Sequence, residues 1–196
     1  MGFREFTLVM VAAASLSVGR DSAGATVATI LRAGIQRVTA ESPRGSANMG
    51  GDELALSVAL TPWDAVPMSF GMTMASISLA PPADFGHRDL TGAAGAMELH
   101  FASPWRVAGV VPMVSYGRLV SGAFSEPRTA WQPAARYAVA GGDRLSVGLA
   151  FPAWIATSWV VELTRHRYLL GTQSSATPQP LRLSAMGMAL GVAISL

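Results

Sequence analysis

The chain has 196 residues, of which 51% are hydrophobic, and carries a formal net charge of +2. This length allows one domain or at most two small ones, and the apolar fraction is too high for an ordinary soluble domain. The chain has no cysteine, which excludes disulfides, a lipoprotein anchor and thiolate metal sites. No basic cluster indicates nucleic-acid binding, and we expect neither a metal nor a cofactor.

The amino-terminal 25 residues differ from the remainder. Arg4 precedes an apolar run over residues 6–18, and Ala23-Gly24-Ala25 forms an A-x-A cleavage site. This order predicts a secretory signal peptide over residues 1–25, cleaved after Ala25. A retained amino-terminal helix is the alternative.

The apolar character is spread along the chain and not gathered into long runs. A membrane-spanning helix needs about 20 consecutive apolar residues. Here the runs are interrupted by proline or diluted with Ser, Thr and Gly; the prolines are Pro62, Pro67, Pro81, Pro112 and Pro152. In a membrane barrel only every second residue of a strand faces lipid, so this pattern favours strands.

Alternating hydrophobicity predicts eight strands after residue 25. The first three cover residues 26–40, 52–60 and 66–79. The fourth follows a polar loop over residues 80–91 and carries Met97, Leu99 and Phe101 on its oily face. The last four cover residues 107–119, 136–151, 155–169 and 181–196.

Two of these strands should depart from regular pairing. In strand five the apolar residues occupy both even- and odd-numbered positions, and Pro112 lies within the strand, so we expect an irregular strand. In strand six Gly141-Gly142 predicts a bulge; a tight turn there would raise the strand count by one.

Residues 145–163 can be interpreted in two ways, as a hairpin with one oily face or as a single apolar helix. In the hairpin, Glu162 falls on the face of small and polar residues, which a barrel interior accepts and a lipid-buried helix tolerates poorly. The hairpin is therefore favoured, with its turn at Pro152-Ala153-Trp154. A helical inner-membrane protein centred on this stretch is the alternative.

Proline and tryptophan recur together between alternating segments. Pro62-Trp63, Pro104-Trp105 and Pro152-Ala153-Trp154 predict short turns at one end of the strands. Tryptophan beside such a turn suits the headgroup layer of a membrane, so we assign Trp63, Trp105 and Trp154 to the membrane interface. Chance pairs in ordinary loops are the alternative.

These features together predict an all-β fold, an eight-stranded antiparallel up-and-down transmembrane β-barrel over residues 26–196. Hydrocarbon offers no partner to a free backbone amide, so a sheet in lipid must close on itself. The predicted loops at the other end cover residues 41–51, 80–92, 120–135 and 170–180.

Inward-facing charges indicate a filled interior, because eight strands enclose a space that side chains can fill. Arg32, Glu98 and Glu162 fall near mid-height and should pair, since an unpartnered buried charge costs several kcal/mol. His100 and His166 would extend this interior polar network. Small inward residues of the last strand, such as Gly187 and Gly191, favour a continuous lumen as the alternative.

The terminal strand alternates almost without fault, and its ending GVAISL resembles the insertion signal of outer-membrane proteins, with Leu196 in the place of the usual aromatic residue. With the signal peptide and the eight alternating segments, the chain resembles the small eight-stranded outer-membrane barrels, the group that includes the OmpA membrane domain and OmpX. The resemblance implies location in a Gram-negative outer membrane, contact with its lipid and insertion by the barrel-assembly machinery.

Three functions follow as expectations. We expect a structural or surface-interaction role through the long loops, with a small passive pore and a lipid A-modifying enzyme as alternatives. The enzyme is disfavoured because His100 and Ser103, three apart on a strand, point to opposite faces, and because the His-x-Ser-Asn arrangement that resemblance to the deacylases would require does not occur.

The signal peptide gives the first testable prediction. Amino-terminal sequencing of the protein recovered from cell membranes should begin at Thr26, because export would remove residues 1–25. Recovery of the chain with Met1 still present would show that the segment is retained.

Overall fold

A computed structural model describes residues 26–42, 45–61, 67–80, 89–127, 135–154, 156–172 and 181–195. They form eight strands: β1 (Thr26–Ser42), β2 (Gly45–Thr61), β3 (Met68–Ala80), β4 (Leu90–Ala102), β5 (Val111–Glu126), β6 (Ala135–Trp154), β7 (Thr157–Thr172) and β8 (Leu181–Ser195). Each strand pairs antiparallel with the next, and β8 pairs with β1. The predicted eight-stranded antiparallel barrel is confirmed. The predicted signal peptide lies outside the described residues.

The register of the strands makes the barrel narrow. Cross-strand partners that begin at Gly50 on β2 run through Arg37 and Met186 and return to β2 at Leu60, ten residues further along the chain. A stagger of this size tilts the strands by about 35–45° to the barrel axis, and eight strands leave an interior just wide enough for side chains.

An apolar belt surrounds the outer surface. Every strand contributes outward side chains that are at least one-third exposed, although they are large and hydrophobic; they include Leu31, Leu60, Phe70, Met97, Val114, Leu149, Trp159 and Leu190. A continuous surface of this kind is stable in lipid and not in water. The period-two pattern of the sequence therefore corresponds to one lipid-facing and one inward-facing side.

Towards the loop ends the polarity of the two faces reverses. On β3 the outward residues Met72 and Met74 give way to the outward Ser76. Over the same span the inward residues change from Thr73 to Ile77, which is 2% exposed. The strands thus extend beyond the belt into a segment with an apolar interior and a polar exterior, the arrangement of a barrel in water.

Residues 145–163 form part of the β6–β7 hairpin, so the helical alternative for this stretch is wrong. The described residues contain no helix long and apolar enough to cross a membrane. The predicted turn at residues 152–154 is wrong, because β6 continues through Pro152 to Trp154, with an irregular register between these two residues, and β7 begins at Thr157.

Several strands are longer than predicted, which shortens the loops. The predicted loop over residues 41–51 is wrong, since β1 runs to Ser42 and β2 begins at Gly45. The predicted loop over residues 120–135 is also too long, because β5 runs to Glu126. Ladder hydrogen bonds do not require an oily face, so polar residues continue the strands outside the belt. There Thr39 Oγ1 donates to Asn48 Oδ1 at 3.0 Å.

The predicted irregularities lie in β5 and β6. The register between β6 and β7 shifts between Val139 and Gly141, which confirms the bulge, and the β4–β5 register shifts beside Gly95. However, β5 begins at Val111 and not at residue 107. Residues 107–110 form a small turn instead, with φ of 82° at Gly109, a conformation that glycine adopts without strain.

The apolar interior of the loop-end segment gives a second prediction. Phe124 is 1% exposed and packs edge-on against Tyr168, with ring centroids 5.6 Å apart. The substitution Phe124→Ala should lower the free energy of unfolding by about 3–5 kcal/mol, measured by urea unfolding in detergent micelles. The control Phe70→Ala, at a lipid-facing side chain that is 55% exposed, should cost much less. Equal losses would contradict the inward packing of Phe124.

Candidate functional site

Four charged side chains meet at mid-height inside the barrel. Strand alternation turns Arg32 of β1, Glu98 of β4, Arg144 of β6 and Glu162 of β7 inward, and each is at most 3% exposed. Arg32 Nη1 donates to both carboxylate oxygens of Glu162, at 3.1 and 2.8 Å. Arg144 Nη1 donates to Glu98 Oε1 at 2.6 Å. The four residues therefore form two short ion pairs.

The two ion pairs also face each other. Arg32 Nη2 lies 4.0 Å from Glu98 Oε2, and Arg144 Nη2 lies 3.6 Å from Glu162 Oε2. Each arginine thus borders both glutamates, and the four charges, which we call the charge ring, sum to zero. Neutral pairing of this kind offsets the cost of removing the ions from water.

Hydroxyl groups of neighbouring strands complete the surroundings of the ring. Arg32 Nη2 also donates to Ser57 Oγ, and the Ser57 and Thr73 hydroxyls are 2.5 Å apart. On the other wall the Ser115 and Ser146 hydroxyls are 2.7 Å apart. These contacts extend the polar layer over the inner wall of the barrel.

The two histidines occupy different positions. His100 Nε2 lies 3.3 Å from Glu98 Oε2, so His100 borders the charge ring. The Tyr168 hydroxyl lies 2.8 Å from His166 Nδ1, and His166 Nε2 lies 3.3 Å from Glu53 Oε2. The structure thus brings Arg32, Glu98, His100 and Glu162 together and places His166 in a second group nearer the loop end.

Three members of these groups were missed at the level of sequence: Arg144, Glu53 and Tyr168. A signal was present for Glu53, which shares its parity with the inward Ser57 on β2. A signal was also present for Arg144, which shares its parity with the inward Ser146 and Gly148, because the bulge lies on its other side.

A glycine lies opposite each of the four ring members on an adjacent strand. Arg32 pairs in register with Gly191, Glu98 with Gly117 and Glu162 with Gly148. Arg144 pairs with Gly117 on the other side of that glycine. A Cβ atom at Gly191, Gly117 and Gly148 would lie 2.7, 2.5 and 2.8 Å from the Cγ atoms of Arg32, Glu98 and Glu162, respectively. The long side chains therefore lie over positions that only glycine leaves free.

This packing removes the support for a lumen along the last strand. The space beside Gly191 is filled by Arg32, and a Cβ atom at Gly187 would lie 3.0 Å from the Cβ atom of Gln36. The small residues of β8 accommodate neighbouring side chains and do not line an open channel.

Apolar side chains close the polar layer at both ends. Towards the loop end a buried cluster includes Val38, Met49, Ile77, Leu79, Leu90, Leu119, Phe124, Leu170 and Leu183. Towards the short turns a smaller cluster contains Ile30, Ala150 and Val160, with Val111 and Met113 packed against it. The charge ring lies between two apolar layers, an arrangement that opposes the passage of water and ions.

The predicted interface tryptophans lie outside this interior. Trp105 is 77% and Trp154 84% exposed, both at the short-turn end, and Trp63 lies outside the described residues. Their role in the headgroup layer stays a prediction. Ser103 lies in the same turn region, where its Oγ accepts a hydrogen bond from the Trp105 amide at 3.2 Å, and not in the ring beside His100.

The fold and this interior define a class of protein, a closed eight-stranded β-barrel with an apolar belt outside and paired charges inside. The chain has the fold of the small eight-stranded outer-membrane barrels. It is similar to Neisserial surface protein A (TM-score 0.58, 12% identity, 85% of this chain and 97% of that chain). It is equally similar to the outer membrane protein OprG from Pseudomonas aeruginosa (TM-score 0.58, 8% identity, 90% and 97%). No family model and no curated protein matches the sequence.

The charge ring gives the third prediction. Glu162→Gln leaves Arg32 short of a counter-charge, so the free energy of unfolding should fall by about 3–5 kcal/mol. The double variant Arg32→Met/Glu162→Gln restores neutrality, because the second ion pair remains intact. The double variant should therefore lose clearly less free energy of unfolding than the summed losses of Glu162→Gln and Arg32→Met, as measured by urea unfolding in micelles.

The control for this cycle is Glu41→Gln, at an exposed carboxylate near the loop end of β1, which should change the stability by less than about 1 kcal/mol. Additive losses in the double variant would contradict a coupled ring.

Proposed function

We propose that this protein is an outer-membrane β-barrel with a side-chain-filled interior, and that its role is structural or one of surface interaction through the connections at its loop end. The observation that carries the proposal is the charge ring enclosed between two apolar layers. A barrel closed in this way has its outer surface and its loops available for function.

The proposed location is supported by the apolar belt and by the fold. Large hydrophobic side chains such as Ile35 and Met186 are 69% and 70% exposed, which suits lipid. The two similar structures are a Neisserial surface protein and an outer membrane protein. We infer export through the signal peptide and insertion by the barrel-assembly machinery, which the alternating terminal strand would suit.

The connections at the loop end are the candidates for surface interaction. The strand ends leave residues 81–89, 127–134 and 173–180 between strands, whereas only residues 43–44 separate β1 from β2. An interaction surface would therefore be built mainly from three connections.

An enzymatic role is not proposed. Hydrolysis needs a nucleophile within hydrogen-bond reach of a base. His100 instead lies against Glu98, and the hydroxyl of Tyr168 beside His166 is buried between apolar neighbours. Neither Neisserial surface protein A nor OprG is named as an enzyme.

The fourth prediction tests the filled interior. The full chain, refolded into planar bilayers, should show no steady conductance steps, because the apolar layers exclude water from the barrel axis. Insertion is verified in parallel vesicles by the change in gel migration that heating causes in a folded barrel. Steady steps from inserted protein would overturn the closed interior, and failure to insert at all would overturn the membrane location.

A further inference from the structure

The outer surface carries its positive charge near one end of the barrel. Six exposed, outward-facing arginines lie at mid-strand or nearer the loop end of the described strands: Arg37, Arg118, Arg136, Arg165, Arg167 and Arg182. At the short-turn end, Arg106 is the one exposed arginine among the described residues. The arginines follow the loop-side border of the apolar belt.

Three of these arginines flank a single strand. Arg37 of β1 and Arg165 of β7 are both register partners of Met186 on β8, and Arg167 is the partner of Ser184. Since neighbouring strands lie about 4.8 Å apart, the backbones of Arg37 and Arg165 are roughly 10 Å apart across β8. We call Arg37, Arg165 and Arg167 the arginine patch.

The patch is not neutralised within the part of the chain that the structure describes. There, no carboxylate lies within ion-pair distance of any of the three guanidinium groups. Two carboxylates lie near the patch without forming an ion pair with it. Asp143 lies opposite Arg167 in register but also faces Arg118, and Asp52 lies diagonally across from Arg37, two residues beyond its partner Gly50. A surplus of positive charge therefore remains on this side of the barrel.

On the short-turn side of the patch the surface is apolar. Moving from the patch towards the short turns, the next outward residues are Ile35 on β1, Leu163 on β7 and Met188 on β8, which are 69%, 60% and 56% exposed. A different sector of the barrel, on β3 and β4, carries uncharged polar residues such as Ser76 and Thr91 near the same border. The combination of unpaired cations above a lipid-facing surface is thus confined to part of the circumference.

We propose that the arginine patch binds the phosphate groups of a phosphorylated lipid in the loop-side leaflet, whose acyl chains lie along β7, β8 and β1. Guanidinium groups bind phosphate through paired, charge-assisted hydrogen bonds, and cations at the membrane surface attract anionic headgroups. The inference rests on the membrane location given under the proposed function. It adds the chemical class of lipid and the side of the barrel that holds it.

The fifth prediction uses native mass spectrometry of the full chain released from detergent micelles. The probes are lipid A with two phosphates and the same lipid A after removal of both phosphates. The protein should retain the phosphorylated form and not the dephosphorylated one. In the triple variant Arg37→Gln/Arg165→Gln/Arg167→Gln the apparent affinity should fall about a hundredfold, whereas Arg106→Gln, at the opposite rim, should bind like the unsubstituted chain.

Three outcomes would overturn the proposal: equal retention of both lipids, an unchanged affinity in the triple variant, or full competition by inorganic phosphate at the same concentration, which would indicate an anion site without lipid selectivity. If the triple variant does not fold, the unsubstituted chain still provides a test. Its retention of lipid A should fall steeply between about 0.05 and 0.5 M ammonium acetate, and insensitivity to salt would overturn the patch.

Insertion into vesicles separates this inference from the proposed function. Insertion into phosphatidylcholine vesicles, together with equal retention of lipid A and dephosphorylated lipid A in micelles, would support the membrane barrel and remove the lipid site. Failure to insert into any vesicle would remove the barrel's membrane location itself.

Discussion

The pairing of backbone amides in a medium without water is the constraint on which this structure depends. A strand surrounded by hydrocarbon must give every N–H and C=O group a partner, and a sheet achieves this only by closing. The pairing of β8 with β1 over residues 28–41 completes that closure. Closure with eight strands then leaves a narrow interior, and the small width decides what the inward side chains can be.

The interior combines charge neutrality with complementary volume. Arg32 and Arg144 are each shared between Glu98 and Glu162, so neither arginine depends on one partner. A narrow barrel has room for such long side chains only where the facing strand offers a glycine, as Gly191 does for Arg32. A charged residue on one strand and a glycine on its neighbour are therefore required together, the first for charge pairing and the second for space.

The reversal of polarity along the strands shows where the surroundings of the barrel change. In the belt, oily residues point outward and charges inward; towards the loops, Ile77 and Leu79 point inward, while Ser76 and Ser78 point outward. The outward arginines follow this transition, which is where anionic headgroups and guanidinium groups would meet. The alternation along one strand therefore suits lipid in the belt and water near the loops, because the apolar residues change from the outward to the inward side.

The sequence by itself determined the strand count, the closed architecture and the inward parity of Arg32, Glu98 and Glu162, because a side-chain period of two is a local property of each strand. It did not determine the strand ends outside the belt, where residues 45–51 pair without an oily face. Nor did it show that Arg144 belongs to the charge ring, although Arg144 shares the parity of the inward Ser146, because its partners Glu98 and Glu162 lie on other strands. Only the tertiary structure decided which charges meet and which glycines lie beneath them. The stagger between strands joins residues as distant in the chain as Arg32 and Glu162.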